Sequence, residues 1–272
     1  GHSSDTAVNE AETAPFTPGL WWSSALNGHG FDIQYAEDQI FIVFYTYNDD
    51  GSPTWYTAQG ELDGNHLKAD LLSHSWDVKE AEHLGFDVKG SIDLDIENKN
   101  SLKFSINISN NGKDNLSTGS LTSFAASSIE TEIDHTGLWY NLQNSGYGFS
   151  YIEQDRWLTT AYYFYDEQGK PRWVIGNNNG TGVNKVRLDS YTGYCLHCEK
   201  TATPAKFEAD IEFDFTNETS ALVDINLSSD STIGQHWAFS NTSLRMLSNP
   251  SSTRPSRTAL MKFTKSEELA AR

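Results

Sequence analysis

Hydrophobic and polar positions follow the period of strands along most of this chain. Ile40-Phe41-Ile42-Val43-Phe44-Tyr45-Thr46-Tyr47 is rich in β-branched and aromatic residues and reads as a strand. Leu158 to Tyr165 has the same character. Both runs are apolar on both faces, which predicts strands covered on both sides. Asp49-Asp50-Gly51-Ser52-Pro53 and Glu167-Gln168-Gly169-Lys170-Pro171 follow them and read as hairpin turns. Gly supplies the positive φ there, and Pro starts the return strand where no donor is needed. Ile92-Leu94-Ile96 and Phe213-Phe215 alternate with Asp and Glu, the mark of a strand with one wet face. Only Leu260 to Ala271 carries a weak helical pattern.

The pattern occurs twice. Gly19 to Trp55 aligns without a gap on Gly137 to Trp173, at an offset of 118, with 11 of 37 positions identical. Most identities are Gly or aromatic, and chance does not readily place so many rare residues in register. Gly28, Gly30 and Phe31 fall on Gly146, Gly148 and Phe149; Gly51, Pro53 and Trp55 fall on Gly169, Pro171 and Trp173. A fainter match continues at an offset of 119, with Ser105-Ile106-Asn107-Ile108-Ser109 against Asp224-Ile225-Asn226-Leu227-Ser228. The expected fold is all-β: two tandem homologous antiparallel β-barrel or β-sandwich domains, with roughly six to eight short strands each. The boundaries are 1–18 for a disordered N-terminal linker, 19–126 and 137–248 for the repeats, 127–136 for a linker between them, and 249–272 for a tail holding a possible short helix.

The series Gly-x-Trp, Gly-x-Gly-Phe and Tyr-x-x-x-Gly-x-Pro-x-Trp resembles a repeat of uncharacterised secreted or surface proteins of Gram-negative bacteria. The opening Gly-x-Trp is also similar to the first strand of lipocalin- and avidin-type barrels. The first resemblance implies export, to the periplasm, the medium or a lipid anchor at the cell surface, and assigns no activity. Gly1-His2 reads as an expression scar, with any export signal already removed.

Composition narrows the function classes. The chain of 272 residues carries 19 basic and 37 acidic side chains, a formal net charge of −18. Such an anion repels nucleic acid and anionic membrane surfaces. No apolar run is long enough for a transmembrane helix. Residues 1–130 hold 6 basic and 20 acidic side chains, 6 − 20 = −14, so most of the charge sits in the first half. No nucleophile-elbow, zinc-protease or Ser-x-x-Lys signature occurs, so a non-catalytic role is expected.

The candidate ligand-binding residues are aromatic. Trp21 and Trp139 recur as core plugs, while Trp22 and Tyr140 beside them fall on the opposite strand face. Trp55, Tyr56 and Trp173 follow turns, and His29 and Tyr147 stand between paired glycines. Exposed Trp and Tyr offer a stacking face and a polar handle, which suits a sugar ring. The expected partner is therefore a carbohydrate or cell-surface polymer. An envelope protein in a surface assembly and a small apolar ligand inside a barrel are the alternatives. Cys195 and Cys198, the only cysteines, read as a local disulfide of an oxidising compartment. Zinc wants a second pair of Cys or His at compatible spacing, so neither metal nor cofactor is expected.

Overall fold

The computed structural model describes residues 15–110, 112–124 and 134–251. They are almost entirely antiparallel strands. The first half contains β1 (Gly19–Trp22), β2 (Gly30–Ala36), β3 (Gln39–Tyr47), β4 (Pro53–Gly60), β5 (Leu62–Asp63), β6 (His66–Asp77), β7 (Glu82–Asn98), β8 (Ser101–Asn110) and β9 (Lys113–Ser123). They form one nine-stranded sheet in the order β4-β3-β2-β1-β9-β8-β7-β6-β5. Thr57 of β4 also pairs with Leu72 of β6, so the order returns on itself. The second half contains β10 (Gly137–Tyr140), β11 (Gly148–Gln154), β12 (Trp157–Tyr165), β13 (Pro171–Asn177), β14 (Lys185–Tyr191), β15 (Ala205–Asn217), β16 (Ser220–Leu227) and β17 (Phe239–Met246). These eight close a barrel in chain order.

Alternation along the strands fills each interior. Phe31, Ile33 and Tyr35 of β2, Ile92, Leu94 and Ile96 of β7, and Phe104 and Ile106 of β8 make the first core. Trp21 and Trp139 are fully buried plugs, and each indole N–H donates to the carbonyl oxygen four residues back, Thr17 and His135, at 3.0 Å. The cavity left among Phe16, Ile33 and Leu94 measures about 10 Å³, scarcely room for one water.

The second faces of β3 and β12 pack against each other. Tyr45 and Tyr47 belong to the same buried cluster as Tyr163, Tyr165 and Trp173. Residues 118 apart make reciprocal contacts across this layer. Trp55 Nε1 donates to the carbonyl oxygen of Phe164 at 3.1 Å, and Trp173 Nε1 donates to that of Thr46 at 3.0 Å. The Trp55 ring meets Tyr163 and Tyr165, while Trp173 meets Tyr45 and Tyr47. The hairpins repeat the exchange: Gly193 N–H donates to Gly51 O and Trp76 N–H to Gly169 O. Gly51 and Gly169 have φ of 83° and 75°. A Cβ at Gly169 would overlap the Trp76 carbonyl oxygen, so glycine serves both the turn and the approach.

Two boundaries are corrected. Residues 15–18 of the expected linker are anchored: Phe16 is buried, stacks on Tyr35 at 4.3 Å, and exchanges backbone hydrogen bonds with its hydroxyl. Asn249, placed in the tail, returns to the first sheet, where its side chain bonds both backbone groups of Glu37. The helical pattern of 260–271 lies outside the described residues, and so do 127–133 of the expected linker.

Candidate functional site

Six of the seven aromatic and histidine candidates are not on an open face. Trp55 and Trp173 are 1% and 3% exposed, between the halves. Tyr147 is buried against Trp76 and Trp237, and Tyr56 is buried with Phe44. His29 is buried too. Its Nδ1 lies 2.8 Å from Thr46 Oγ1, its ring meets Tyr47 and Tyr194, and burial pulls its pKa down to about 4. Tyr140 is half-buried, and Trp22 alone is well exposed, at 46%. The expected aromatic patches are thus corrected. Most of their members gain more by burying large rings between the halves than a solvated platform would offer.

A different site emerges at one end of the barrel. The ladder between β13 and β14 consists of the pair Ile175↔Asp189 alone, the sparsest in the barrel. A cavity of about 480 Å³ opens there. Its walls are Arg172, Trp173 and Val174 of β13, Ser190 and Tyr191 of β14, Lys206 and Glu208 of β15, Thr232 and Ile233, with Pro53 of the first half on the rim. Tyr191 lies near-parallel to Trp173, ring centroids 6.2 Å apart and planes 26° apart, and is only partly buried. It extends the buried indole into an accessible aromatic wall.

The charged groups of this cleft are committed to its frame. Arg172 pairs with Asp166 at 2.9 Å and donates to the carbonyl oxygens of Pro53 and Pro171. Asp166 also accepts from the backbone N–H of Gln168 and Lys170. Lys206 donates to the Asp230 carbonyl oxygen at 2.6 Å. Glu208 is fully buried and accepts from the hydroxyls of Ser190, Ser231 and Thr232 and from the Thr232 N–H. Burial alone would raise its pKa; the hydrogen bonds, those from Thr232 foremost, outweigh that and hold it low. Both carboxylates are held by these bonds, and the cleft offers shape, an aromatic face and hydroxyl rims.

The Glu208 network joins β14 to the loop carrying Thr232. Glu208→Gln replaces an acceptor of four bonds by an amide that must aim donors at donors. We expect a loss of about 1–3 kcal/mol at neutral pH, read by urea unfolding. Because the folded pKa lies below the unfolded one, this contribution is present above the unfolded value and fades as pH falls through the folded one. The variant and wild type should therefore converge in acid. A constant difference across pH would sink the account.

Cys195 and Cys198 close the expected disulfide, with Cα atoms 5.0 Å apart. No described helix is long and apolar enough to cross a membrane. The cleft escaped sequence reading because its walls come from separated segments; Tyr191 has no motif around it. Set against family models, curated proteins and solved structures, the chain matches none.

Proposed function

We propose that this chain is an exported, non-catalytic binding protein built from two homologous β-barrel units, taking a carbohydrate or related surface polymer in the cleft between β13 and β14. The observation that carries the reading is the pairing of an accessible Tyr191 ring with the indole of Trp173, beside the hydroxyls of Ser190 and Thr232. A sugar ring has one apolar face and a hydroxyl edge, and matches both. The disulfide supports an oxidising compartment. The reciprocal contacts at an offset of 118 support the duplication.

A glycan array followed by fluorescence titration tests the site. Tyr191→Ala should weaken binding by about tenfold, or ~1.4 kcal/mol, in a chain that urea unfolding shows to be still fully folded in buffer. Equal binding by wild type and Tyr191→Ala would move the site elsewhere.

One observation favours the adaptor reading as the alternative. Residues Glu82–Val88 of β7 pair with β6 alone among the described strands, and Leu84, Phe86 and Val88 beside that open edge are 58–60% exposed. An envelope partner could add a strand there. The packed first core speaks against an apolar ligand inside that sheet.

A further inference from the structure

Asp49, Cys195, His197 and Cys198 come together although the cysteine loop belongs to the second half and Asp49 to the β3–β4 turn of the first. One ligand atom from each lies within 4.8 Å of all the others. His197 Nε2 is 3.8 Å from Asp49 Oδ1. The cluster is held from both sides. Cys198 N–H donates to the Cys195 carbonyl oxygen at 3.0 Å, and Gly193 N–H fixes the loop to Gly51 O at 2.9 Å. Cys195 is buried, while Asp49 and His197 are exposed, so the group has a closed floor and an open mouth. Sequence reading sought a second Cys or His pair for a metal; the missing donors are the His between the cysteines and an Asp distant in sequence.

We propose that the reduced form of this cluster is a binding site for a borderline-soft divalent cation, Zn²⁺ above all, which ties the two halves together. Two thiolates, one imidazole and one carboxylate are a tetrahedral zinc set, with bonds of about 2.0–2.3 Å. Donors at that radius stand about 3.3–3.8 Å apart, so the two sulfurs, bonded to each other here, must separate to that distance while the widest gaps of the cluster, up to 4.8 Å, close by roughly 1 Å. The disulfide must first open. A thiol or phosphine reductant supplies two electrons, and two protons complete the two thiols. Binding the cation then displaces both thiol protons to solvent as the sulfurs ligate. A small-molecule disulfide, by thiol–disulfide exchange, takes back the two electrons and leaves as two thiols, the S–S bond re-forms and the metal is released to solvent, so the cluster alternates between an S–S bond within one loop and a metal bridge between the halves. This inference stands apart from the glycan reading, since the cleft uses none of these residues.

Cobalt is the probe, because its absorption reports coordination directly. The full chain, reduced with a phosphine and titrated with Co²⁺, should take up one equivalent with the intense visible bands of a tetrahedral thiolate site. The oxidised chain should show none. Bound Zn²⁺ should displace the cobalt and raise the unfolding temperature of the reduced chain. His197→Ala and Asp49→Asn each leave the disulfide in place and should weaken cobalt binding by at least about tenfold. Reduced protein that takes no cobalt overturns the proposal. So does unchanged affinity in both variants, which would mark a plain dithiol chelate.

Discussion

Replacing Trp55 or Trp173 with alanine should lower the stability of the whole chain by about 3–5 kcal/mol, the cost of emptying a buried aromatic site. Each indole fills the layer between the halves and satisfies a carbonyl oxygen of the opposite half, Phe164 or Thr46. Removing the ring leaves both a void and an unpaired acceptor. Urea unfolding followed by circular dichroism measures the loss. The double variant should cost a different amount from the sum, because Trp55 and Trp173 share the Tyr45–Tyr163 contact between them. Trp22→Ala is the control: at 46% exposure it should change stability by no more than about 0.5 kcal/mol. Losses below about 1 kcal/mol at Trp55 and Trp173 would mean that the layer is not part of the cooperative fold. A large loss also makes these two residues poor probes of ligand binding, since their removal would abolish binding through unfolding alone.

Asp32→Asn should act in the opposite direction and stabilise the protein at neutral pH. Asp32 lies on β2 in the same layer, with no exposure, and burial raises its pKa from 3.8 to about 6. Hydrogen bonds from Ser150 and Gln34, the latter at 2.7 Å, offset only part of that penalty. The folded state therefore holds a proton that the unfolded chain releases. Between the two pKa values stability falls as pH rises, and above about 6 the full penalty stands. A shift of this size corresponds to about 3 kcal/mol. Asn keeps the acceptor oxygen for Gln34 without the charge, so the variant should gain about that much at pH 7, and the gain should vanish below the unfolded pKa. Unfolding curves at neutral and acid pH decide the matter. An Asn variant less stable than wild type at neutral pH would show that the ionised carboxylate is wanted.

The Gly and aromatic residues that recur at an offset of 118 make the strands, hairpins and plugs legible. Gly51 and Gly169 announced turns, and the doubly apolar runs of β3 and β12 announced strands with two covers. The identity of the second cover was not legible, because no local pattern says that one half of a chain packs on the other. For that reason Trp55 and Trp173, both just after turns, read from the sequence as either core residues or a ligand face. The Cys195–Cys198 spacing carried its own disulfide, whereas the approach of Asp49 depends on how the halves dock. The cleft rests on a ladder that shrinks to one pair, Ile175↔Asp189, and nothing in Tyr191 or Ser190 marks where pairing stops.

The reciprocal layer is arranged as in an isologous dimer, in which the same patch meets itself across a dyad. Two separate identical chains would have to set like against like at its centre. Position 32 of one would face position 150 of the other with the same residue in both, and two facing carboxylates cannot both ionise without cost. Here Asp32 faces a serine, Ser150, whose hydroxyl also meets Tyr45 at 2.7 Å. His29 and Tyr147, also 118 apart, are buried against different neighbours, Tyr47 and Tyr194 for the one and Trp76 and Trp237 for the other. One polypeptide carries both patches, so the two sides of the layer differ in residue while the fit between them is kept.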